Sequence, residues 1–347
     1  YDELKPMVVE SNGRPNEEPR EYTDSHALAM GTSFLQGMAF KESLRRLTPA
    51  EIAGMVAASF MDIIYRVPLE EAIDTCGMGG DRGFRVKGEK RKTINVSTLS
   101  GIVLASLGIT TFKHGSYANT SAVGSTDAIE DLGANINQSD PDEIRRIVRS
   151  ANFHFSDAHL YKTIHDLSHL LRLETINHVI GPMTTPVSAD TRLHRVMGIN
   201  HRVHPRDIAN AYEILDSRGF QSVGNVLVVS GLSQSYGEIS DIEDLEETSR
   251  HMILDEVSPH ATLLGIVKEG KYVGSTIVTP EHFGVELDES RIALRNEKDV
   301  IQKANIAALT GTDDANSRYL AVNAALNLFA VEYLERGDAL VDRSLNV

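Results

Sequence analysis

A glycine-rich stretch, Gly77-Met78-Gly79-Gly80-Asp81, follows a predicted strand that includes Ala72-Ile73-Asp74. Glycines place no side chain between the backbone and a ligand, so their N–H groups can approach phosphate oxygens closely. Further on, Asn95-Val96-Ser97-Thr98 precedes an apolar run from 99 to 107, and a helix N-terminus also attracts anions. Together the two segments predict a site for a phosphorylated ligand, although either one alone is more often an ordinary turn or helix cap.

A second set of hydrogen-bonding residues follows in the same region of the chain. Lys113-His114-Gly115 comes first, Thr120-Ser121 follows, and Gly124-Ser125-Thr126-Asp127 opens another predicted helix. No Ser-His-Asp or Cys-His arrangement accompanies them. Binding and positioning of an anion, rather than attack by a protein nucleophile, is therefore the chemistry that these residues indicate.

Composition limits the classes of function. The 347 residues carry 34 Lys and Arg against 49 Asp and Glu, a formal net charge of -15, which opposes binding to nucleic acid or to an anionic membrane. The single cysteine, Cys76, excludes an internal disulfide and is compatible with the cytoplasm. The sequence contains no apolar run of the roughly 20 residues that a membrane helix needs.

Periodicity divides the chain into helical and alternating parts. Apolar residues recur at helical spacing between 24 and 66, and Thr48-Pro49-Ala50-Glu51 forms a capping box. From 69 to 137 short apolar segments alternate with turns and helices, and the pattern returns with a helix at 205–217, a strand at 225–230 and a helix at 317–335. The prediction is an α/β protein with a small helical domain (1–68 and 160–190) and a larger α/β domain (69–159 and 191–347) containing a mostly parallel central sheet.

The order of these motifs resembles that of the anthranilate phosphoribosyltransferases, which share their fold with the pyrimidine nucleoside phosphorylases. Gly181-Pro182, Pro280-Glu281 and Asn323-Ala324-Ala325 extend the resemblance along the chain. It implies transfer of phosphoribose from phosphoribosyl pyrophosphate, with Mg²⁺, to an aromatic or nitrogenous acceptor, by default anthranilate in tryptophan biosynthesis, by a homodimer. The residues that it places around the donor are Gly77, Gly79, Gly80, Asp81, Asn95, Ser97, Thr98, Lys113, Thr120 and Ser121.

The sequence departs from the family pattern at the expected metal site. Relatives carry an adjacent Asp-Glu pair after a glycine, whereas the stretch assigned to it here, 231–240, retains only Glu238. Because Mg²⁺ accepts one or two carboxylates together with water and substrate oxygens, we expect Glu238 to bind the ion with Ser97. A surface glutamate in a lengthened loop is the alternative.

The acceptor side departs further. Residues His114, Ser116, Tyr117, Ser168 and Arg172 are expected around the acceptor, but Ser116 and Tyr117 replace an Asn and an Arg of the family, and Ser168 replaces the arginine that binds the anthranilate carboxylate. A serine cannot pair with a carboxylate as an arginine does. Anthranilate is therefore expected to be a poor substrate unless Arg172, one helical turn along, compensates.

Two further features leave alternatives open. His165 and His169 have a spacing that can bind zinc, but they also suit packed or solvent-facing histidines, or acceptor recognition in a region with eight histidines between His154 and His204. Residues 82–92 exceed the family length and form a basic loop that could cover pyrophosphate, bind an anionic acceptor or remain solvated. Its cations are Arg82, Arg85, Lys87, Lys90, Arg91 and Lys92.

The sequence leaves three other functions open: a phosphoribosyltransferase with an acceptor other than anthranilate, a nucleoside phosphorylase, and a non-catalytic relative that binds nucleic acid. The motifs at 95–98 and 113–115 favour a transferase over a phosphorylase. The net charge opposes nucleic acid, although the basic loop leaves that possibility open.

Overall fold

The computed structural model describes residues 25–118, 121–160 and 175–333. In chain order its strands are β1 Glu71–Gly77, β2 Phe84–Val86, β3 Glu89–Lys92, β4 Thr111–Gly115, β5 Phe153–Asp157, β6 Arg192–Gly198, β7 Val223–Leu232, β8 Met252–Leu254, β9 Ala261–Lys268, β10 Lys271–Val278 and β11 Leu294–Arg295. The α-helices are α1 Ser25–Ser43, α2 Pro49–Met61, α3 Val96–Ser106, α4 Ser125–Asp131, α5 Pro141–Ala151, α6 Asn177–Ile180, α7 Pro205–Ser217, α8 Leu245–Thr248, α9 Glu289–Ile292, α10 Lys298–Thr310 and α11 Asp314–Leu328.

Within the described residues, eight strands form one mixed sheet in the order β10-β9-β7-β6-β1-β4-β5, with β8 paired to β7. The five strands from β7 to β5 run parallel, while β8, β9 and β10 add antiparallel pairs. Every residue of β7 is buried, as expected of a strand covered on both faces. The predicted α/β class with a mostly parallel sheet is confirmed.

The central position of β1 follows from the path of the chain. From β1 the chain moves to β4 and β5 on one side, then returns to place β6 and β7 on the other. The crevice where the strand order reverses, at the carboxyl ends of the strands, is the usual ligand site of such sheets. Gly77, the last residue of β1, pairs with Gly198 at the end of β6.

Helices α1 and α2 pack on the segment that contains α6 and on α7. Leu35 of α1, Ile52 of α2, Val179 of α6 and Ile208 of α7 belong to one buried apolar cluster. On α1, Leu35 is buried, whereas Met30 and Phe34 are about half exposed. The early helices therefore pack with residues near 180, but the two-domain division stays a prediction. None of the described helices is long and apolar enough to span a membrane.

Helix α2 begins at the predicted capping box. The Thr48 backbone N–H donates to Glu51 Oε2 at 3.0 Å, and the Glu51 N–H donates to Thr48 Oγ1 at 3.3 Å. Pro49 occupies the first turn, where its missing N–H has no helical partner to lose. Two of the donors that a helix start leaves unpaired are thereby satisfied.

We expect Thr48→Ala to lower the free energy of unfolding by about 1 kcal/mol, because it removes the side-chain acceptor of this cap. Urea denaturation of the parent and the variant measures the difference. Thr48→Ser keeps the hydroxyl and is the matched control, expected to retain most of the stability. Equal losses in the two variants would contradict the role of the cap.

Candidate active site

A cavity of about 170 Å³ lies at the carboxyl ends of β1 and β6. Thr75, Cys76 and Gly77 of β1 line it, and so do Val196 and Gly198 of β6. Other strands, loops and helices complete the wall with Gly79, Asp81, Lys92, Thr93, Ile94, Asn95, Val96, Ser97, Ser121, Val123, Gly124, Ser125, Val229, Asp255, Glu256, Ile301, Asn323, Leu326 and Asn327. The cavity thus gathers segments that are far apart in sequence.

The glycine-rich loop is shaped by backbone angles that other residues rarely adopt. Gly79 and Gly80 have φ values of 68° and 67°, in the left-handed region that favours glycine. The Gly79 N–H donates to Asp255 Oδ2 at 2.8 Å. A Cβ at Gly77 would overlap the Asp255 side chain, and a Cβ at Gly198 would overlap its backbone. The absence of a side chain at these two glycines therefore allows Asp255 to pack against the ends of β1 and β6.

Three carboxylates meet at this end of the cavity. Asp81 is buried, and Glu256 accepts a hydrogen bond from the hydroxyl of Thr93. Burial, followed by the charges of Asp255 and Asp81, raises the pKa of Glu256 well above its usual value. Burial and the charge of Asp255 also raise the pKa of Asp81, which the nearby Lys92 only partly offsets. The group therefore needs positive charge to stay fully ionised.

The start of α3 faces the same cavity through Asn95, Val96 and Ser97. The Asn95 side chain makes no hydrogen bond to cap α3. It donates instead to the carbonyl of Val123 at 3.1 Å and accepts from Asn305 Nδ2 at 2.8 Å. Asn95 thus links α10 with the loop that precedes α4. The N–H groups in the first turn of α3 provide a place for an anion.

Beneath the cavity, β1, β4 and β6 are joined by the fully buried Asp74. Its Oδ2 lies 2.6 Å from His114 Nδ1 and 3.2 Å from Arg195 Nη1, and it accepts a hydrogen bond from Thr185. His114 Nε2 lies 3.2 Å from the carbonyl oxygen of Gly181, so both ring nitrogens face acceptors and act as donors. Burial alone would raise the pKa of Asp74, but His114 and Arg195 lower it below its usual range.

The residues expected around the donor fall into three groups. Six of them line the cavity, namely Gly77, Gly79, Asp81, Asn95, Ser97 and Ser121. Gly80, Thr98 and Lys113 are not among the lining residues. The Lys113 ammonium is buried and donates to the carbonyl of Thr75 at 2.8 Å and to that of His114 at 3.1 Å. Thr120 lies outside the described residues. The ligand roles of all ten stay predictions.

The expected metal carboxylate, Glu238, does not line the cavity, and its role as a metal ligand stays a prediction. Glu238 is exposed in the short turn Tyr236–Glu238, and the described carboxylates that line the cavity are Asp81, Asp255 and Glu256. The adjacent Asp-Glu pair is thus present, 24 residues after Gly231 rather than missing. The sequence signal for this pair is the segment Leu254-Asp255-Glu256-Val257-Ser258.

The acceptor residues are only partly described. His114 is bound within the Asp74 cluster, Ser116 Oγ donates to the carbonyl of Tyr117 at 3.3 Å, and the Tyr117 hydroxyl donates to Glu130 at 3.1 Å. The Tyr117 ring lies 5.7 Å from that of His159. Ser168 and Arg172, together with His165 and His169, lie outside the described residues. Their roles stay predictions.

Several histidines between 154 and 204 have structural partners. His159 lies 2.8 Å from Asp157, His178 2.9 Å from Glu42 and His194 2.6 Å from Glu71. Burial lowers the pKa of His154 to about 4, so this ring is neutral at pH 7. Among the described residues, no group of three or more His, Cys, Asp or Glu side chains is placed to hold a metal alone.

The basic stretch 82–92 is a β-hairpin rather than a loose loop. Strands β2 and β3 pair with each other, and β3 pairs with β11. Phe84 at its start is buried against Leu99 and Tyr319. Of its cations, Lys92 lines the cavity, Arg82 donates to two carbonyls near 250, and Arg91 pairs with Glu89. The run of basic residues in the sequence does not by itself predict that β2, β3 and β11 pair as strands.

The chain matches known proteins over most of its length. Residues 69–242 match the a/b domain of a glycosyl transferase family. The anthranilate phosphoribosyltransferase of Pyrococcus abyssi is 28% identical over 293 residues, which cover 83% of this chain and 78% of the relative. That of Bordetella pertussis is 27% identical over 306 residues, or 87% of this chain and 78% of the relative.

Solved structures have the same fold. Anthranilate phosphoribosyltransferase from Saccharomyces cerevisiae, in complex with PRPP and Mg, superposes with a TM-score of 0.63 at 21% identity, covering 90% of this chain and 77% of that one. The enzyme from Thermus thermophilus superposes with a TM-score of 0.60 at 19% identity, covering 97% of this chain and 92% of that one. At these identities the likeness shows the fold.

We expect Asp74→Asn to destabilise the protein by roughly 3–5 kcal/mol at pH 7, because it leaves the buried Arg195 and His114 without their shared carboxylate. A depressed pKa contributes stability above the usual aspartate pKa of 3.8, and this contribution is lost as the pH falls toward the folded-state pKa. The difference between parent and variant should therefore shrink below pH 4. Urea denaturation at pH 7 and pH 3.5 measures it, and a difference independent of pH would contradict the assignment.

Proposed function

Because the chain belongs to the glycosyl transferase family through its a/b domain, we propose that it transfers a phosphoribosyl group from phosphoribosyl pyrophosphate to anthranilate. The observation that carries the proposal is the single cavity in which the glycine-rich loop, the N-terminus of α3 and the Asp255-Glu256 pair meet. This combination suits a ligand with several phosphate groups and an associated cation. The identities of the donor and the acceptor are inferred from the similar proteins, which are anthranilate phosphoribosyltransferases, one of them solved with PRPP and Mg.

The reaction requires positioning and charge rather than a protein nucleophile. The lone pair of the acceptor nitrogen forms a bond to C1 of the ribose as the bond from C1 to the pyrophosphate oxygen breaks. Pyrophosphate leaves with that electron pair, and the acceptor nitrogen loses a proton to solvent. Backbone N–H groups at the start of α3, which lines the cavity, would bind the leaving phosphates, and Lys92 adds a positive charge to the same cavity.

Magnesium fits the residues of the site when substrate oxygens complete its coordination. Asp255 and Glu256 are adjacent, line the cavity and border the glycine-rich loop. Burial, followed by the charges of Asp255 and Asp81, raises the pKa of Glu256, and a bound cation would favour its ionised form. Mg²⁺ typically uses one or two protein carboxylates together with phosphates and water. When bound, it would neutralise charge on the departing pyrophosphate.

The other functions have less support. Binding of nucleic acid is opposed by the net charge of -15. In the hairpin, Lys92, Arg82 and Arg91 contact Asp81, backbone carbonyls and Glu89, while Arg85 and Lys87 are exposed. The alternative of a nucleoside phosphorylase is tested by supplying a nucleoside and phosphate in place of phosphoribosyl pyrophosphate.

The homodimer stays a prediction. Phe34 is about half exposed and Phe40 about two-thirds exposed on α1, and they provide an apolar surface for it.

We expect phosphoribosyl pyrophosphate with Mg²⁺ to raise the melting temperature by several degrees, since a ligand that binds only the folded state stabilises it. Gly80→Val should remove the shift, because its positive φ strains any β-branched residue. Gly237→Val, at an exposed position with open space, is the control and should keep the shift. A full shift in Gly80→Val would separate the glycine-rich loop from donor binding.

For the acceptor, we expect slow transfer to anthranilate by the parent and a rise of about tenfold or more in kcat/KM for Ser168→Arg, because a paired carboxylate avoids the cost of burial without a cation. Arg172→Ala should lower the parent's rate if Arg172 compensates. Loss of anthranilate fluorescence with phosphoribosyl pyrophosphate present measures all three proteins. Efficient transfer by the parent and by Arg172→Ala alike would show that another group binds the carboxylate.

A further inference from the structure

The hairpin inserted between the glycine-rich loop and α3 brings one lysine into the cavity. Strand β3 ends at Lys92, which pairs across the small sheet with Leu294. The backbone around the hairpin is held closely: the Gly83 N–H donates to the carbonyl of Ile253 at 2.8 Å, and a Cβ at Gly83 would overlap the carbonyl of Arg91. The backbone of Lys92 is therefore held by pairing with β11, and that of its neighbour Arg91 also pairs with β2.

The Lys92 side chain is buried and its ammonium forms an ion pair with Asp81, which is itself buried. Both residues line the cavity together with Asp255 and Glu256. Lys90 is the nearest other cation of the hairpin; its Nζ lies 3.8 Å from Asp81 Oδ1 but donates to the Asp81 backbone carbonyl. Lys92 is thus the hairpin cation that faces both the carboxylates and the cavity.

The charge of Lys92 is favoured by this arrangement. Burial by itself would lower the pKa of its ammonium, but Asp81, then Asp255 and Glu256, outweigh burial and raise it. All three carboxylates therefore interact with the same ammonium. A lysine so placed contributes a fixed positive charge where a phosphoribosyltransferase of this family is expected to place Mg²⁺.

We propose that Lys92 acts as a built-in cation of the donor cavity, weakening Mg²⁺ binding by the free protein and supplying charge to the phosphates of the donor. The inference rests on the proposed donor site and deepens it. An ammonium beside Asp81 repels a divalent ion at Asp255 and Glu256, and the same ammonium attracts phosphate oxygens. Donor binding by this chain should consequently depend less on Mg²⁺ than binding through carboxylates alone.

The test is calorimetric titration of the free protein with Mg²⁺, without any substrate. Lys92→Gln, whose amide can still donate to Asp81, should bind Mg²⁺ about tenfold or more tightly than the parent. Lys92→Arg keeps the charge and should resemble the parent. Lys87→Gln removes one exposed charge from the same hairpin and should also resemble the parent, which controls for net charge. Affinities within about twofold across all four proteins would overturn the proposal.

A second pair of variants tests the proposal in case Lys92→Gln fails to fold. Asp81→Asn and the double variant Asp81→Asn with Lys92→Gln both lack the buried ion pair and differ only in the ammonium. The double variant should bind Mg²⁺ about tenfold more tightly than Asp81→Asn, and equal affinities would count against the proposal.

Donor binding provides an independent measurement. In EDTA, the parent and Lys87→Gln should bind phosphoribosyl pyrophosphate about tenfold or more tightly than Lys92→Gln, and Mg²⁺ should reduce that difference. Equal binding by Lys92→Gln and the parent in EDTA would overturn the contribution of Lys92 to the donor. If the parent binds no phosphoribosyl pyrophosphate even with Mg²⁺, the proposed function fails, while the Mg²⁺ titration of the free protein still decides the place of Lys92.

Discussion

The buried carboxylate of Asp74 is the interaction on which the site depends. It lies in β1, the middle strand of the five parallel strands, and its partners come from β4, β6 and the segment at 181–185. An isolated buried carboxylate is costly, so the fold is favoured only when His114 and Arg195 are both in place. The register that satisfies Asp74 also brings Gly77 and Gly198 together at the carboxyl edge.

The close approach of residue 255 then completes the cavity. Gly77 and Gly198 leave no room for a Cβ because Asp255 occupies that space, and its carboxylate accepts the N–H of Gly79. The shape of the glycine-rich loop is therefore set partly by a residue about 180 positions later in the chain. The shape of the glycine-rich loop and the placement of the Asp255 carboxylate are two consequences of one packing arrangement.

Electrostatics within the cavity differ from those of the whole molecule. The chain carries a net charge of -15, and three carboxylates converge where an anionic donor is proposed to bind. Such a site requires local positive charge from the start of α3, from Lys92 or from a divalent ion. The inserted hairpin adds one of these sources through backbone pairing and thereby links a difference in chain length to the chemistry of the donor site.

The sequence by itself determined the elements that have a local signal, because such signals depend on short-range patterns. The capping box before α2, the helix at 205–217, the buried strand β7 and the glycine-rich loop each have a signal within a few residues. Six of the ten expected donor residues line the cavity for the same reason.

Only the tertiary structure decided which distant carboxylates face the glycine-rich loop and where the basic stretch places its charge. From local sequence alone, Glu238 and the pair Asp255-Glu256 are equally plausible metal ligands, because neither segment shows how far it lies from Gly79 in the fold. Lys92 differs from the other cations of its stretch only through the pairing of β3 with β11. Both outcomes depend on contacts between residues far apart in the chain, which short-range periodicity cannot encode.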